Sequence, residues 1–213
     1  MKRLLLLVAL TLAVTGSGYA GTCGVGTLDT LSYGPATSCT IGDLTFTDFG
    51  YTGSLPGSSV IVTPLIGGGE TGFRFNAGWI VSDPNVLDAF ISYTVTATDG
   101  SPVISDLVLS ISGFDQSGAG FLSVAETASN GAQLGVCFGN VTCVQTDSAI
   151  FTPVSSLTIN KDIAVSAFFG GTASLSSVVN QTSEVPEPAS LTLLGTGLIG
   201  LAGVLRRKLI AKK

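Results

Sequence analysis

Leu87-Asp88-Ala89-Phe90-Ile91-Ser92-Tyr93-Thr94-Val95-Thr96-Ala97-Thr98 alternates apolar and polar residues with a period of two. Leu87, Ala89, Ile91, Tyr93, Val95 and Ala97 share one face, and Asp88, Phe90, Ser92, Thr94, Thr96 and Thr98 the other. Side chains on a strand point to opposite faces in turn, so this stretch predicts a long strand with one side in a core. The same pattern runs outward in shorter pieces. Leu44 and Phe46 alternate with Thr45 and Thr47, and Phe73 and Phe75 flank Arg74. After an Asp99-Gly100-Ser101-Pro102 turn come strand-like runs at Leu107–Ile111, Phe121–Glu126, Val141–Thr146, Ile163–Phe168 and Leu175–Val179. Short alternating runs cut by Gly, Pro, Asn and Asp predict an all-β, antiparallel β-sandwich of roughly eight to ten strands, jelly-roll-like in arrangement. No long helical pattern precedes the C-terminal tail.

Composition agrees. Of 213 residues only 11% are charged, Gly is abundant at 28, and His is absent. Such a chain is too apolar for disorder and too poor in helix formers for a bundle. The nine basic residues are unevenly placed: Lys2 and Arg3 at the front, Arg206, Arg207, Lys208, Lys212 and Lys213 at the back. Residues 21–188 hold only Arg74 and Lys161 against all fourteen acids, a net charge of 2 − 14 = −12. Bases at both ends and acid between suit a chain whose middle leaves the cytoplasm. An acidic domain repels phosphate backbones, which excludes nucleic acid as a natural partner.

Residues 1–20 read as a signal peptide: a basic start, an apolar run from Leu4 to Val14, and small residues at Gly18 and Ala20. Cleavage is expected after Ala20. The apolar run is too short to cross ~30 Å of hydrocarbon comfortably, which argues against an uncleaved anchor. The mature domain then spans 21–182.

Four cysteines in an exported domain predict disulfides, with three connectivities open. A hairpin centred on Asn140 would set Cys137 opposite Cys143, because facing residues on neighbouring strands lie ~4.5–5.5 Å apart, within disulfide range. Cys23 and Cys39 would then tie the mature N-terminus to the first strand. Zinc is the rival reading, but the spacings match no common ligand pattern and there is no His.

The lack of His removes Ser-His-Asp, Cys-His and His-ligated metal chemistry. Asp83, Asp88, Asp99, Asp106 and Glu126 are the acids from which a glycosidase-type carboxylate pair would be drawn, though such a pair needs a fixed separation that sequence does not supply. Most of these acids sit at turns or on polar strand faces and read there as solvated charges. Asp115-Gln116-Ser117-Gly118 resembles the start of a calcium loop but lacks its further ligands, so a local turn is expected. Gly67-Gly68-Gly69 precedes no helix and reads as a loop. Asn140-Val141-Thr142 and Asn180-Gln181-Thr182 fit a glycosylation pattern that is short and common by chance. Thr94, Thr96 and Thr98 form a row of the kind that ice- or sugar-binding surfaces use. No enzyme activity, cofactor or metal is expected.

The C-terminal tail is in three parts. Residues 183–188 form a linker holding Pro186-Glu187-Pro188, which stays extended and accessible. Residues 189–205 carry no charge and include Gly197, Gly200 and Gly203, near the shortest length that spans a bilayer as a helix. Residues 206–213 begin with Arg206-Arg207-Lys208, a stop-transfer cluster that holds the end in the cytoplasm. This order of motif, helix and basic end resembles the PEP-CTERM sorting signal of Gram-negative bacteria. The resemblance implies an exosortase partner, a membrane protease that recognises Pro186, Glu187 and Pro188 and processes the chain there. It also implies a life history: anchored in the inner membrane, then released to the cell surface or beyond, in bacteria that make extracellular polysaccharide or biofilm. It does not extend to the middle. For residues 21–182 the expectation is a non-enzymatic envelope or matrix role in contact with exopolysaccharide. A carbohydrate- or ice-binding module is the first alternative, and a hydrolase with a carboxylate pair the second.

Overall fold

The alternating stretch at residues 87–98 forms a strand, Val86–Ala97, in which Ala89, Ile91, Tyr93, Val95 and Ala97 are buried and the intervening side chains lie outside. The computed structural model describes residues 21–33, 38–67, 69–101, 103–139 and 142–183. In chain order the elements are β1 (Gly21–Thr22), β2 (Gly26–Thr27), α1 (Leu28–Tyr33), β3 (Cys39–Ile41), β4 (Leu44–Gly53), β5 (Ile61–Gly67), β6 (Glu70–Ser82), β7 (Val86–Ala97), β8 (Ile104–Ala128), β9 (Gln133–Phe138), β10 (Thr146–Val154) and β11 (Ser156–Ser183). Apart from the parallel pair β1 and β3, every ladder is antiparallel.

The all-β, antiparallel expectation holds, and the strand boundaries need revision in three places. Leu107–Ile111 and Phe121–Glu126 are not two strands but one, the 25-residue β8. Ile163–Phe168 and Leu175–Val179 likewise merge into the 28-residue β11. Of the run expected at Val141–Thr146, residues 142–145 are not strand, and β10 begins at Thr146.

The two long strands pair with each other along most of their length and cross both layers of the molecule. The first half of β11 lies between β7 and the second half of β8, which also carries β9; β4, β3 and β1 extend this layer beyond β7. The second half of β11 lies between β6 and the first half of β8, which also carries β10; β5 and β2 extend that layer. One sheet of eleven strands therefore curls over into a sandwich-like pair of layers.

The fold-over is at residues 117–119 of β8 and 169–171 of β11, where the ladder between them shifts register. Glycine is required there. A Cβ on Gly171 would sit 2.7 Å from Ala119 N and 2.8 Å from Ser117 O, both backbone atoms that have nowhere to go. Opposite it, Gly118 has φ +66, a region that other residues enter only at a cost.

Between the layers lies an aromatic cluster. The Phe46 ring (β4) meets Phe73 (β6) edge-on at 4.7 Å, and Tyr93 (β7) sits 5.9 Å from Phe73. Phe49 stacks on Tyr93 at 5.6 Å. Such pairs add about 0.5–1.5 kcal/mol each beyond the burial of the rings. The period of two places them: Phe46, Phe73, Phe75 and Tyr93 each occupy the inward phase of their strands.

Candidate functional site

The inward phase of the long strands also carries polar side chains where the alternation would place apolar ones, and three of them come together. On β11, Lys161 follows Leu157 and Ile159 and precedes Ile163 and Val165, all buried. On β8, Glu126 follows Leu122 and Val124. Asn180 occupies the inward phase of the second half of β11, after Val178. Lys161 and Glu126 stand opposite each other in the ladder, and Asn180 reaches them from the facing layer. All three are essentially without solvent contact.

Their hydrogen bonds close on one another. Lys161 Nζ donates to Glu126 Oε2 at 2.5 Å and to Asn180 Oδ1 at 2.8 Å. Asn180 Nδ2 donates to Glu126 Oε1 at 3.0 Å and to the Val108 carbonyl at 3.1 Å. The Tyr93 hydroxyl donates to Asn180 Oδ1. Aromatic rings wall the cluster, with Nζ 5.1 Å from the Tyr93 centroid and 5.9 Å from that of Phe75. Burial lowers the Lys161 ammonium below its ordinary value, and the Glu126 carboxylate only partly offsets this. Burial first, and Glu126 second, push the Tyr93 hydroxyl well above its ordinary value, so it stays a donor.

A second polar surface lies on the outside of the layer built from β4, β7 and the first half of β11. Ladder registers set Thr45 beside Thr96 and Ser156, and Thr47 beside Thr94 and Thr158. Thr96 and Ser156 hydroxyls meet at 2.8 Å, and those of Thr94 and Thr158 at 3.2 Å. The row seen in sequence as Thr94, Thr96 and Thr98 thus becomes a patch three strands wide, with Thr98 bonded to Thr45 at its edge. Further along the same face are the exposed rings of Phe90 and Phe121 and the neighbouring acids Asp88 and Asp162.

Other residues singled out in the sequence fall in separate places. Cys23 is bonded to Cys39, with Cα atoms 4.7 Å apart, and fastens the segment after β1 to β3. Cys137 is bonded to Cys143, Cα atoms 5.0 Å apart, and Cys137 N donates to the Val144 carbonyl. The hairpin centre, Asn140, lies outside the described residues. The five acids do not form one group. Asp99 accepts from Ser101 N and Oγ in its turn, Asp106 holds Ser183, Glu126 is in the buried cluster, and Asp88 is on the outer face beside Asp162. Asp83 stands at the end of β6, its N–H bonded to the Gly171 carbonyl. Asp115 bonds the adjacent Gln116 N–H within the bend of β8, and among the described residues no cluster of metal-ligating side chains is present. Asn180, in a glycosylation-type triplet, is buried rather than presented.

Lys161 and Asn180 were not expected as site residues. The signal was there in the phase: Lys161 is one of two bases in the whole middle of the chain and falls where the strand's apolar residues fall.

Ala20, Pro186, Glu187, Pro188, the 189–205 segment and Arg206, Arg207 and Lys208 lie outside the described residues. Within those described, no helix is long and apolar enough to cross a membrane. Residues 184–208, which begin directly after β11, match the PEP-CTERM protein-sorting motif. The chain carries a PEP-CTERM sorting signal. That signal implies an exported protein and processing by an exosortase. The PEP-CTERM match covers the tail alone, and a comparison with curated proteins found no match to any part of the chain. Among solved structures the chain is similar to TmCBM61 in complex with beta-1,4-galactotriose, at 10% identity over 72% of this chain and 92% of that one, TM-score 0.33. It is also similar to the enzymatically active domain of bacteriophage CBA120 tailspike protein 4, at 15% identity over 68% of this chain and 20% of that one, TM-score 0.25. Superpositions this loose carry no argument about function.

Proposed function

We propose that this is a non-enzymatic protein of the cell surface or extracellular matrix whose hydroxyl-lined outer face contacts polysaccharide. The observation that carries the reading is the patch of Thr45, Thr47, Thr94, Thr96, Ser156 and Thr158, held in register by three paired strands. Its hydroxyls are both donors and acceptors at fixed spacing, which suits a polyhydroxylated chain. Phe90 and Phe121 add apolar platforms for sugar rings, and Asp88 and Asp162 add acceptors. Rings and acids beside the hydroxyls favour a glycan over ice, which the same Thr pattern alone would also suit.

Delivery follows from the tail. Cleavage after Ala20 frees the N-terminus, the uncharged segment 189–205 holds the folded domain at the outer side of the inner membrane, and Arg206, Arg207 and Lys208 stay in the cytoplasm. Exosortase then acts at Pro186-Glu187-Pro188.

The test is affinity electrophoresis of the purified protein through gels containing exopolysaccharide from the producing cells, beside a glycan array. Wild type is expected to be retarded. A Thr94→Ala, Thr158→Ala, Phe121→Ala variant is expected to run freely with unchanged thermal unfolding. Equal mobility of wild type with and without every glycan tried, together with inhibition of ice recrystallisation, would transfer the face to ice.

A further inference from the structure

We propose that the buried cluster is a site of self-modification, in which Lys161 and Asn180 join through an intramolecular amide bond with Glu126 as the catalytic residue and ammonia as the product. The inference is independent of what the outer face binds.

The geometry supplies each part of such a reaction. An amine and a carboxamide are held in contact, with Nζ 2.8 Å from Oδ1 of the group it would attack. Holding two reactants this close turns a slow encounter into an internal step. One carboxylate touches both nitrogens that must exchange a proton: Glu126 Oε2 is 2.5 Å from Lys161 Nζ, and Oε1 is 3.0 Å from Asn180 Nδ2. The Tyr93 hydroxyl donates to Oδ1, the oxygen on which negative charge develops. The Val108 carbonyl holds the second hydrogen of the amide nitrogen, fixing the leaving group.

The steps balance without any co-reactant. Glu126 first takes a proton from the Lys161 ammonium through Oε2, and the neutral amine attacks Cγ of Asn180, forming the new C–N bond and a tetrahedral centre whose oxygen is held by Tyr93. Glu126 then gives its proton to Nδ2 through Oε1 and takes another from the attacking nitrogen through Oε2. The Cγ–Nδ2 bond breaks, ammonia leaves, and the proton that was the lysine's stays on Glu126 as a neutral carboxyl. Nothing is oxidised or reduced.

Two features of the surroundings favour this outcome. Burial depresses the Lys161 ammonium, so the neutral form the attack needs is within reach. Exclusion of water protects the amide from hydrolysis, the competing fate of an activated Asn. The reaction also explains why a sheet protein would place a lysine where its strand otherwise places Ile and Val. A buried ion pair is at best a weak source of stability, whereas conversion to a neutral amide removes the lysine's charge altogether.

The test is peptide mapping by mass spectrometry of the full chain, folded, then denatured and reduced. The expected result is a branched peptide joining Lys161 to Asn180, lighter than its two linear parts by one ammonia. Glu126→Gln and Lys161→Met chains should yield only the linear peptides. A folded wild-type chain in which Lys161 and Asn180 are recovered unlinked overturns the proposal, whether or not the variants fold. Loss of ammonia from a linear Asn180 peptide also overturns it, since that marks cyclisation of the Asn onto its own backbone. A branched peptide that persists undiminished in Glu126→Gln removes Glu126 from the chemistry and overturns the mechanism.

Discussion

The inside and the outside of one layer use polar groups in opposite ways. On the outer face of β7 and β11, hydroxyls meet in pairs at 2.8 and 3.2 Å and remain free to turn to water or to a ligand. On the inner face of that layer, Lys161 of β11 and Glu126 of β8 satisfy each other and Asn180 of the facing layer, with no solvent to substitute. Adjacent side chains on β11 differ only in which way the pleat points them. Deleting a group outside removes an option, whereas deleting one inside orphans its partners.

Glu126→Ala should break the inside most severely. It leaves the Lys161 ammonium buried without its counter-charge, and a loss of about 3–5 kcal/mol in denaturant unfolding is expected from that alone. A change under 1 kcal/mol would mean that the cluster is open to water. Ser177→Ala sharpens the contrast from within the interior. Ser177 Oγ is buried with no hydrogen-bond partner among the described residues, so its removal should be neutral or stabilise by about 1 kcal/mol. A clear destabilisation would show that the hydroxyl is paired after all. Outside, Thr96→Ala should change stability by no more than about 0.5 kcal/mol while weakening glycan retention. A larger loss of stability would make the face structural rather than functional.

The smallest effect belongs to Asp162. Burial, with the Asp88 charge second, raises its carboxyl above the ordinary 3.8. Between 3.8 and the raised native value, the native state keeps a proton that the unfolded chain has lost, so stability should fall as pH rises through that window. Asp162→Asn should flatten that part of the melting-temperature profile, and an unchanged profile would place the two acids apart.

The strand content and the Cys137–Cys143 disulfide were legible because each rests on local pattern, and Cys23–Cys39 followed as the pair that remained. Alternation at residues 87–98 marked one face of β7, and a sequence separation of only 6 between Cys137 and Cys143 brings the sulfurs together with little choice. The merging of four runs into β8 and β11 was not legible. Glycines such as Gly118 and Gly171 read as turns that end strands, whereas here they bend strands that continue with a shared partner. The buried cluster was hidden for a similar reason. Glu126 was visible as an acid and Lys161 as a rare base, but Asn180 comes from the opposite layer, and only the fold-over places its amide against them.

The PEP-CTERM motif starts one residue after β11 ends, and that adjacency has a mechanical consequence. Any load on the domain applied through its tail enters at Ser183, whose N–H and hydroxyl are both clamped by the Asp106 carboxylate. From there the force runs along β11, which is flanked by β6 on one side and β8 on the other. Ladder hydrogen bonds lie across the strand direction, so the pull shears many of them together instead of unzipping them singly. Survival under tension then depends on the unfolding rate more than on equilibrium stability. A tether attached at this end of β11 pulls on the best-buttressed strand in the molecule.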